Sequence, residues 1–163
     1  MENNFIRIDD RLIHGQIIAR WSRHLSLKNI IAVDDKTASN PMLKSIMMMS
    51  VPKQYKTYIC KMEEFKDLIN GLEKDNGNNL IIARFPYMLK NILSEDMKAK
   101  SINIGNVSKK DEDSFEIMSN IFLTKEDVSV IEELHNQGKE IVFQLVPDSQ
   151  RLSWDKIRNK YIG

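Results

Sequence analysis

Two carboxylates, a guanidinium, an imidazole and a carboxamide fall within eight residues, at Asp9, Asp10, Arg11, His14 and Gln16, with Gly15 beside the imidazole. A histidine ring nitrogen is a nucleophile, an arginine holds an anion with a planar fork of donors, and a carboxylate can orient either of them. Histidine is mostly neutral near neutral pH, as a nucleophilic ring nitrogen must be. The chemistry open to this set is the capture of a phosphoryl group carried on His14 and read by Arg11 and nearby backbone N–H groups. Which of Asp9, Asp10 and the more distant Asp34 faces the imidazole is left open by the residue order alone.

The elements around the stretch say where it sits. Asn4 to Ile8 is short and half apolar, the pattern of a strand. Ile13, Ile17, Ile18, Trp21 and Leu25 recur at helical spacing. His14 therefore stands at a helix start, where unpaired N–H groups and the macrodipole favour an anion.

Further on, Asn29 to Val33 reads as a buried parallel strand ending in Asp34-Asp35, a pair better explained as strand terminator and turn than as ligands. Ser39 or Asn40 caps a helix that has Pro41 in its first turn and Met42, Leu43, Ile46 and Met47 as its expected buried face. Met47 to Met49 are assigned to the core, a docking patch being the alternative use of exposed methionines beside the site. Tyr55 to Cys60 is a strand with Cys60 buried. Met62 to Leu72 is a helix, Leu80 to Ala83 a strand that ends before the Arg84 turn, and Pro86 opens another helix. Ser101 to Ile104 alternates as a strand and stops at Gly105. Phe115 to Leu123 is expected to be one strand. Thr124 and Asp127 make a capping box for a helix that Gly138 closes, and Glu140 to Val146 is the last strong strand. Trp21 is expected to anchor the His14 helix, His24 and His135 to lie on the surface, and Trp154 to Tyr161 to form a solvated last helix, a contact for membrane partners being the alternative.

Strands alternating with helices imply a single α/β domain over residues 1–163, with a mainly parallel central sheet, helices on both faces and the His14 loop after the first strand. Ligands of such sheets bind beyond the carboxyl ends of the strands. The Asp9-to-His14 loop, the Asp34-Asp35 pair and the Arg84 turn all fall at expected strand ends, where they can meet on one edge of the sheet. The 163 residues, 42% hydrophobic, suit one core. With 24 basic and 23 acidic residues the net charge is +1, which gives no support to nucleic-acid binding. One cysteine rules out an intrachain disulfide. No glycine-rich phosphate loop is present and no paired histidines have zinc-site spacing, so neither a nucleotide cofactor nor a metal is expected. Without an apolar leader or a membrane-length run, a cytoplasmic protein is expected.

Residues 7–16, Arg-Ile-Asp-Asp-Arg-Leu-Ile-His-Gly-Gln, followed by Trp21, resemble the active-site signature of IIB components of the mannose/fructose/sorbose family of sugar phosphotransferase systems. The resemblance extends to Ile31-Ala32-Val33-Asp34-Asp35, Asn40-Pro41 and Pro52. It continues more weakly through Asn103-Ile104-Gly105 and the Leu134, Gly138 and Pro147 ending. It implies a phosphocarrier: an upstream IIA protein phosphorylates His14 at Nδ1, and the group passes to a sugar taken up through the membrane components IIC and IID. The carrier would associate with that transporter only transiently. Arg11 would stabilise charge, Asp10 would orient the ring or Arg11, and Gly15 would let the backbone approach the phosphate and offer an N–H, with Gln16 a weaker contact. Asp9 and Asp34 are further candidates. Members often carry a second glycine where this chain has Asn106. A small-molecule binding or regulatory module that keeps the fold without passing phosphate is the alternative function.

Overall fold

A two-residue period sorts the first strand, β1 (Asn4–Asp9), into an apolar face with Ile6 and Ile8 and a second face with Phe5, Arg7 and Asp9. The computed structural model describes residues 3–93, 97, 99 and 101–162. After β1 the chain runs through α1 (Gly15–Leu25), β2 (Leu27–Val33), α2 (Asp35–Ala38), α3 (Pro41–Met49), β3 (Lys56–Cys60), α4 (Met62–Leu72) and β4 (Asn78–Ala83). A short 3₁₀ turn at Pro86–Met88 leads into α5 (Leu89–Ile92). Then follow β5 (Ser101–Asn106), β6 (Phe115–Met118), β7 (Ile121–Leu123), α6 (Lys125–Asn136), β8 (Glu140–Phe143), β9 (Leu152–Ser153) and α7 (Trp154–Ile157).

The main sheet has the order β3-β2-β4-β1-β5-β8-β9 and is parallel except for β9, which pairs antiparallel with β8. Helices cover both faces. Ile6, Ile8, Ile31, Ile81, Ile104 and Phe143 pack with Phe65 and Ile69 of α4, Leu89 and Ile92 of α5, and Val128, Ile131 and Leu134 of α6. On the other face Ile30, Ala32, Leu80 and Ile82 pack with Leu12, Ile13 and Ile18 of the α1 region and with Val51. The mainly parallel α/β sheet expected from the alternating pattern is the one observed. β1 lies centrally, with its carboxyl end flanked by those of β4 and β5, so the loop after β1 opens where the chain changes direction across the sheet.

Local chemistry accounts for the element ends. Asn40 caps α3 by accepting from the Leu43 N–H, with Pro41 in the first turn. Thr124 and Asp127 form the reciprocal capping box of α6, and Gly138 beyond that helix has φ of 90°. Cys60 is buried, and burial pushes its thiol up to about 11, so the thiolate is scarce at neutral pH.

Three expectations are corrected. The segment Phe115 to Leu123 is an antiparallel hairpin of β6 and β7 with an irregular register; two short strands cannot sustain one alternation. The tail does not form a solvated helix: Trp154 is fully buried, edge-on to Phe143 and stacked with Tyr161, and its indole donates to Glu132, which Arg158 also holds. Third, α3 has no buried residue. Its inward stripe is limited to the half-buried Leu43 and Met47, while Met42 and Ile46 are 72% and 57% exposed. Apolar residues fall on more than one side of this helix, so composition alone could not identify its core face.

Trp21 is buried on α1, with its Nε1 donating to the Leu145 carbonyl at 3.0 Å. It roofs a cavity of about 210 Å³ that Arg7, Phe5, Leu80, Asn103 and Gln144 also line. Trp21→Ala would widen this cavity and remove one of the two donors to the Leu145 carbonyl. Urea unfolding is expected to show a loss of about 3–5 kcal/mol, and a midpoint equal to the parent's would contradict the anchoring role.

Candidate functional site

The loop between β1 and α1 is built on one carboxylate. Asp9, the last residue of β1, is buried, with Oδ1 accepting from the Arg11 backbone N–H and from Arg11 Nε, both at 3.0 Å. Its Oδ2 accepts from Arg11 Nη2 at 2.9 Å and from Arg7 Nη2 at 3.2 Å. Asp9 thereby turns the backbone and grips Arg11 through a two-pronged charged contact. The bond from Asp9 raises the Arg11 pKa against the opposing effect of partial burial. Arg11 keeps 36% of its side-chain surface exposed and so still faces solvent.

Arg7 is the buried partner of this grip. Its guanidinium also donates to Asn103 Oδ1 and to the carbonyls of Gln144 and Leu145, and it lies 5.5 Å from the Trp21 ring centroid. Burial pushes Arg7 down to about 10, with Asp9 opposing, so the charge is kept at neutral pH. The guanidinium crosses β5 at Gly105, where an added Cβ would stand 2.1 Å from Arg7 Cζ. The residue must be glycine for Arg7 to fit.

Beyond Arg11 the backbone makes an unusual step. Leu12 has φ of 64°, the left-handed region, at a cost of about 1–2 kcal/mol for a residue with a Cβ. The Leu12 N–H donates to the Asp9 carbonyl at 2.9 Å, and the Leu12 side chain is buried in the core under α1. That burial, worth about 1.5–3 kcal/mol, offsets the strain. With Leu12 and Ile13 both turned inward, His14 is left exposed. His14 is the N-cap of α1, in extended conformation, and its side chain makes no capping hydrogen bond. The imidazole stands free at the positive end of an eleven-residue helix. Gly15 follows because an added Cβ there would lie 2.8 Å from the Ser50 carbonyl at the end of α3. Gln16 is exposed on the first turn.

Asp10 takes a different direction. Its Oδ1 accepts from Asn106 Nδ2 and its Oδ2 from the Ser108 N–H, both at 2.7 Å, while its own N–H donates to the Asn106 carbonyl at 3.0 Å. The carboxylate thus bonds the loop after β5; the hydrogen bonds to Arg11 come from Asp9. Asp34 is the N-cap of α2, accepting from Thr37 N and Thr37 Oγ1 and pairing with Arg84 Nε at 3.1 Å. Burial raises the Asp34 pKa, but the bonds from Thr37 and Arg84 outweigh it and leave the carboxyl below its ordinary value. Arg84 Nη1 then reaches the Asp10 carbonyl at 2.5 Å, so Asp34 supports the loop through Arg84. Among the described residues no three His, Cys, Asp or Glu side chains gather into a group that could hold a metal.

Residues 3–162 match the family of PTS system sorbose subfamily IIB components. The chain belongs to this family. It is 23% identical to the fructose-specific EIIB component of Bacillus subtilis, over 86% of each chain. It is 25% identical to the N-acetylgalactosamine-specific IIB component 1 of Escherichia coli, over 89% of this chain and 91% of that one. The mannose-specific EIIAB component of Escherichia coli is 21% identical over 90% of this chain, which spans only 45% of that longer protein. Among solved structures, the IIBSor domain of the Klebsiella pneumoniae sorbose permease superposes with a TM-score of 0.85 at 20% identity, covering 95% of both chains. The manxB protein of Thermoanaerobacter tengcongensis gives 0.84 at 24% identity over the full length of both. These likenesses place the fold, and the family makes the chain a IIB component of a sugar phosphotransferase system.

The Arg84 turn and Asp34 meet the loop on one edge of the sheet, as their places at strand ends led one to expect, whereas residue order alone missed the work of Arg7, Thr37, Asn106 and Ser50 in this IIB component. Only Arg7 left a signal: a charge two residues before Asp9 on one strand shares its face and must find a partner there. The Asp10–Asn106 contact can be tested by Asn106→Asp, which sets two carboxylates together. At neutral pH a loss of about 1–3 kcal/mol is expected. Repulsion raises the carboxyl pKa in the folded state, so stability relative to the parent should recover as pH falls through that raised value. Urea midpoints that track the parent's at every pH would contradict the contact.

Proposed function

We propose that this IIB component is a phosphoryl carrier in which His14 accepts the phosphoryl group of a IIA protein and delivers it to a sugar entering through IIC and IID. The observation that carries the reading is the exposed, uncapped imidazole of His14 at the start of α1, on a loop held from behind by Asp9. In the first step the lone pair of His14 Nδ1 attacks phosphorus and the P–N bond to the donor histidine breaks. In the second a sugar hydroxyl oxygen attacks and gives up its proton to solvent, and the His14 nitrogen leaves with the bonding pair.

Such transfers ask the protein mainly for in-line positioning and charge stabilisation at the equatorial oxygens. Arg11, gripped by Asp9 yet facing solvent, supplies a fixed cation beside the histidine. The first N–H groups of α1, at Gly15 and Gln16, supply neutral donors, and the helix dipole favours the dianion. Asp10 acts as a positioning residue through its hold on Asn106 and Ser108. The group arrives already activated as a phosphohistidine, so the scheme calls on no metal or cofactor. The proposed site of action is cytoplasmic, with transient docking to the membrane components; no described helix is long and apolar enough to cross a membrane. The joining of IIA to IIB in the name of the Escherichia coli mannose relative supports IIA as donor. Sugar choice is assigned to IIC and IID.

Incubation with radiolabelled phospho-IIA should place one acid-labile phosphate on the parent chain and none on His14→Ala. Membranes containing IIC and IID should discharge the label only when sugar is added. Label on His14→Ala, or a stable label that sugar never removes, would contradict the carrier role.

A further inference from the structure

The exposed large hydrophobic residues of this protein are not scattered. Among the described residues they are Met42, Ile46, Met48, Met49 and Tyr87, and all but Tyr87 lie on the nine-residue helix α3. Met42, Ile46 and Met49, exposed by 72%, 57% and 83%, follow the spacing i, i+4, i+7 and so form one outward stripe. The helix does not need that stripe in order to dock on its own fold: Met47 packs inward against the Leu12, Ile18 and Val51 cluster. An apolar stripe left outside after folding marks a surface used by a partner.

Its position narrows the partner. The end of α3 touches the start of α1: the Ser50 carbonyl fills the space that a Gly15 side chain would take, one residue from His14. A protein covering the end of the stripe therefore also covers the imidazole. From Pro41 to Lys56 the chain carries Lys44, Lys53 and Lys56 and no carboxylate. The chain that carries the stripe is thus basic, with Glu64 beside Lys44 only on the far side of the helix, in the cleft with Met48. An excess of lysines suits a face with an acidic border better than a second copy of this chain. Methionine side chains are adaptable and lose little when a contact forms and breaks, as a carrier visiting partners in turn requires.

Resting on the carrier reading, we infer that the outward face of α3 is the docking surface for the phosphoryl-donor protein, engaged through an apolar patch with an acidic border around the donor's own phosphohistidine. The Met42–Ile46–Met49 stripe supplies the contact and His14 lies at its end. Docking lowers the donor concentration needed for transfer without taking part in the chemistry.

The test compares two donors on Ile46→Asp and Met49→Asp, both at exposed positions outside the site machinery. With phospho-IIA, each variant should need at least about tenfold more donor for half-maximal rate, with the saturating rate, far-UV spectrum and urea midpoint unchanged. With phosphoramidate, whose P–N bond is broken by His14 with release of ammonia and which needs no docking surface, parent and variants should label at equal rates. Raising salt should increase the half-saturating phospho-IIA concentration of the parent. An unchanged half-saturation in both variants would overturn the docking surface while leaving the carrier role intact. So would an effect confined to sugar-dependent discharge, or parent self-association or vesicle binding that the substitutions abolish. Failure of the parent to label His14 with either donor would overturn the carrier reading itself.

Discussion

One buried carboxylate holds the loop between β1 and α1 together. Asp9 closes β1, turns the chain through the Arg11 N–H, and binds two guanidinium groups of opposite fate, Arg7 sealed beneath α1 and Arg11 open to solvent. Desolvating Asp9 and Arg7 is costly, and removing one partner of such a buried pair costs about 3–5 kcal/mol because it leaves a buried charge uncompensated. The arrangement persists because each terminal nitrogen of Arg7 has two acceptors within reach and because Gly105 leaves room for the guanidinium. The same grip fixes where Arg11 stands relative to the helix that begins at His14. Stability of the loop and placement of its cation are thus one constraint.

Around that centre the carboxyl ends of several strands are tied to each other. Arg84, beyond β4, joins Asp34 and Thr37 at the end of β2 to the Asp10 carbonyl after β1. Asp10 in turn joins Asn106 and Ser108 after β5. Apolar anchoring completes the frame, since burying Leu12 and Ile13 leaves the backbone only one way to enter α1 and turns His14 outward. A braced support behind an exposed imidazole suits the proposed group transfer between proteins, where the acceptor must be held still while successive partners come and go.

The period of the hydrophobic residues made the sheet and most of its helices legible, because α1, α4 and α6 each bury one regular stripe against it. The loop and His14 were legible for a related reason: a charged run between a strand and a helix start has few other places to be. Strand ends also put Asp34 and the Arg84 turn on the same edge as the loop, but residue order did not say which side chains pair across it. Asp10 finds Asn106 across β5 and Asp34 finds Arg84 across β4, so the roles of the two carboxylates follow from sheet order, which no local pattern encodes. The exposure of α3 escaped for the opposite reason. Apolar residues signal burial, and a surface kept for a partner has the same composition as a core. Trp154 was misplaced because the basic residues around it suggested solvent, whereas Glu132 draws the indole and Arg158 inward together.

In the proposed carrier, Asp9 serves phosphoryl transfer through its grip on Arg11. The most direct test of that role is a double-mutant cycle on the single-turnover rate of His14 phosphorylation, using Asp9→Asn, Arg11→Ala and the double variant, each confirmed folded by near-UV circular dichroism. If Asp9 acts through Arg11, the double variant should be about as slow as the slower single one, a coupling of roughly 1–3 kcal/mol. Rate losses that simply multiply would contradict it and separate the carboxylate from the transfer step.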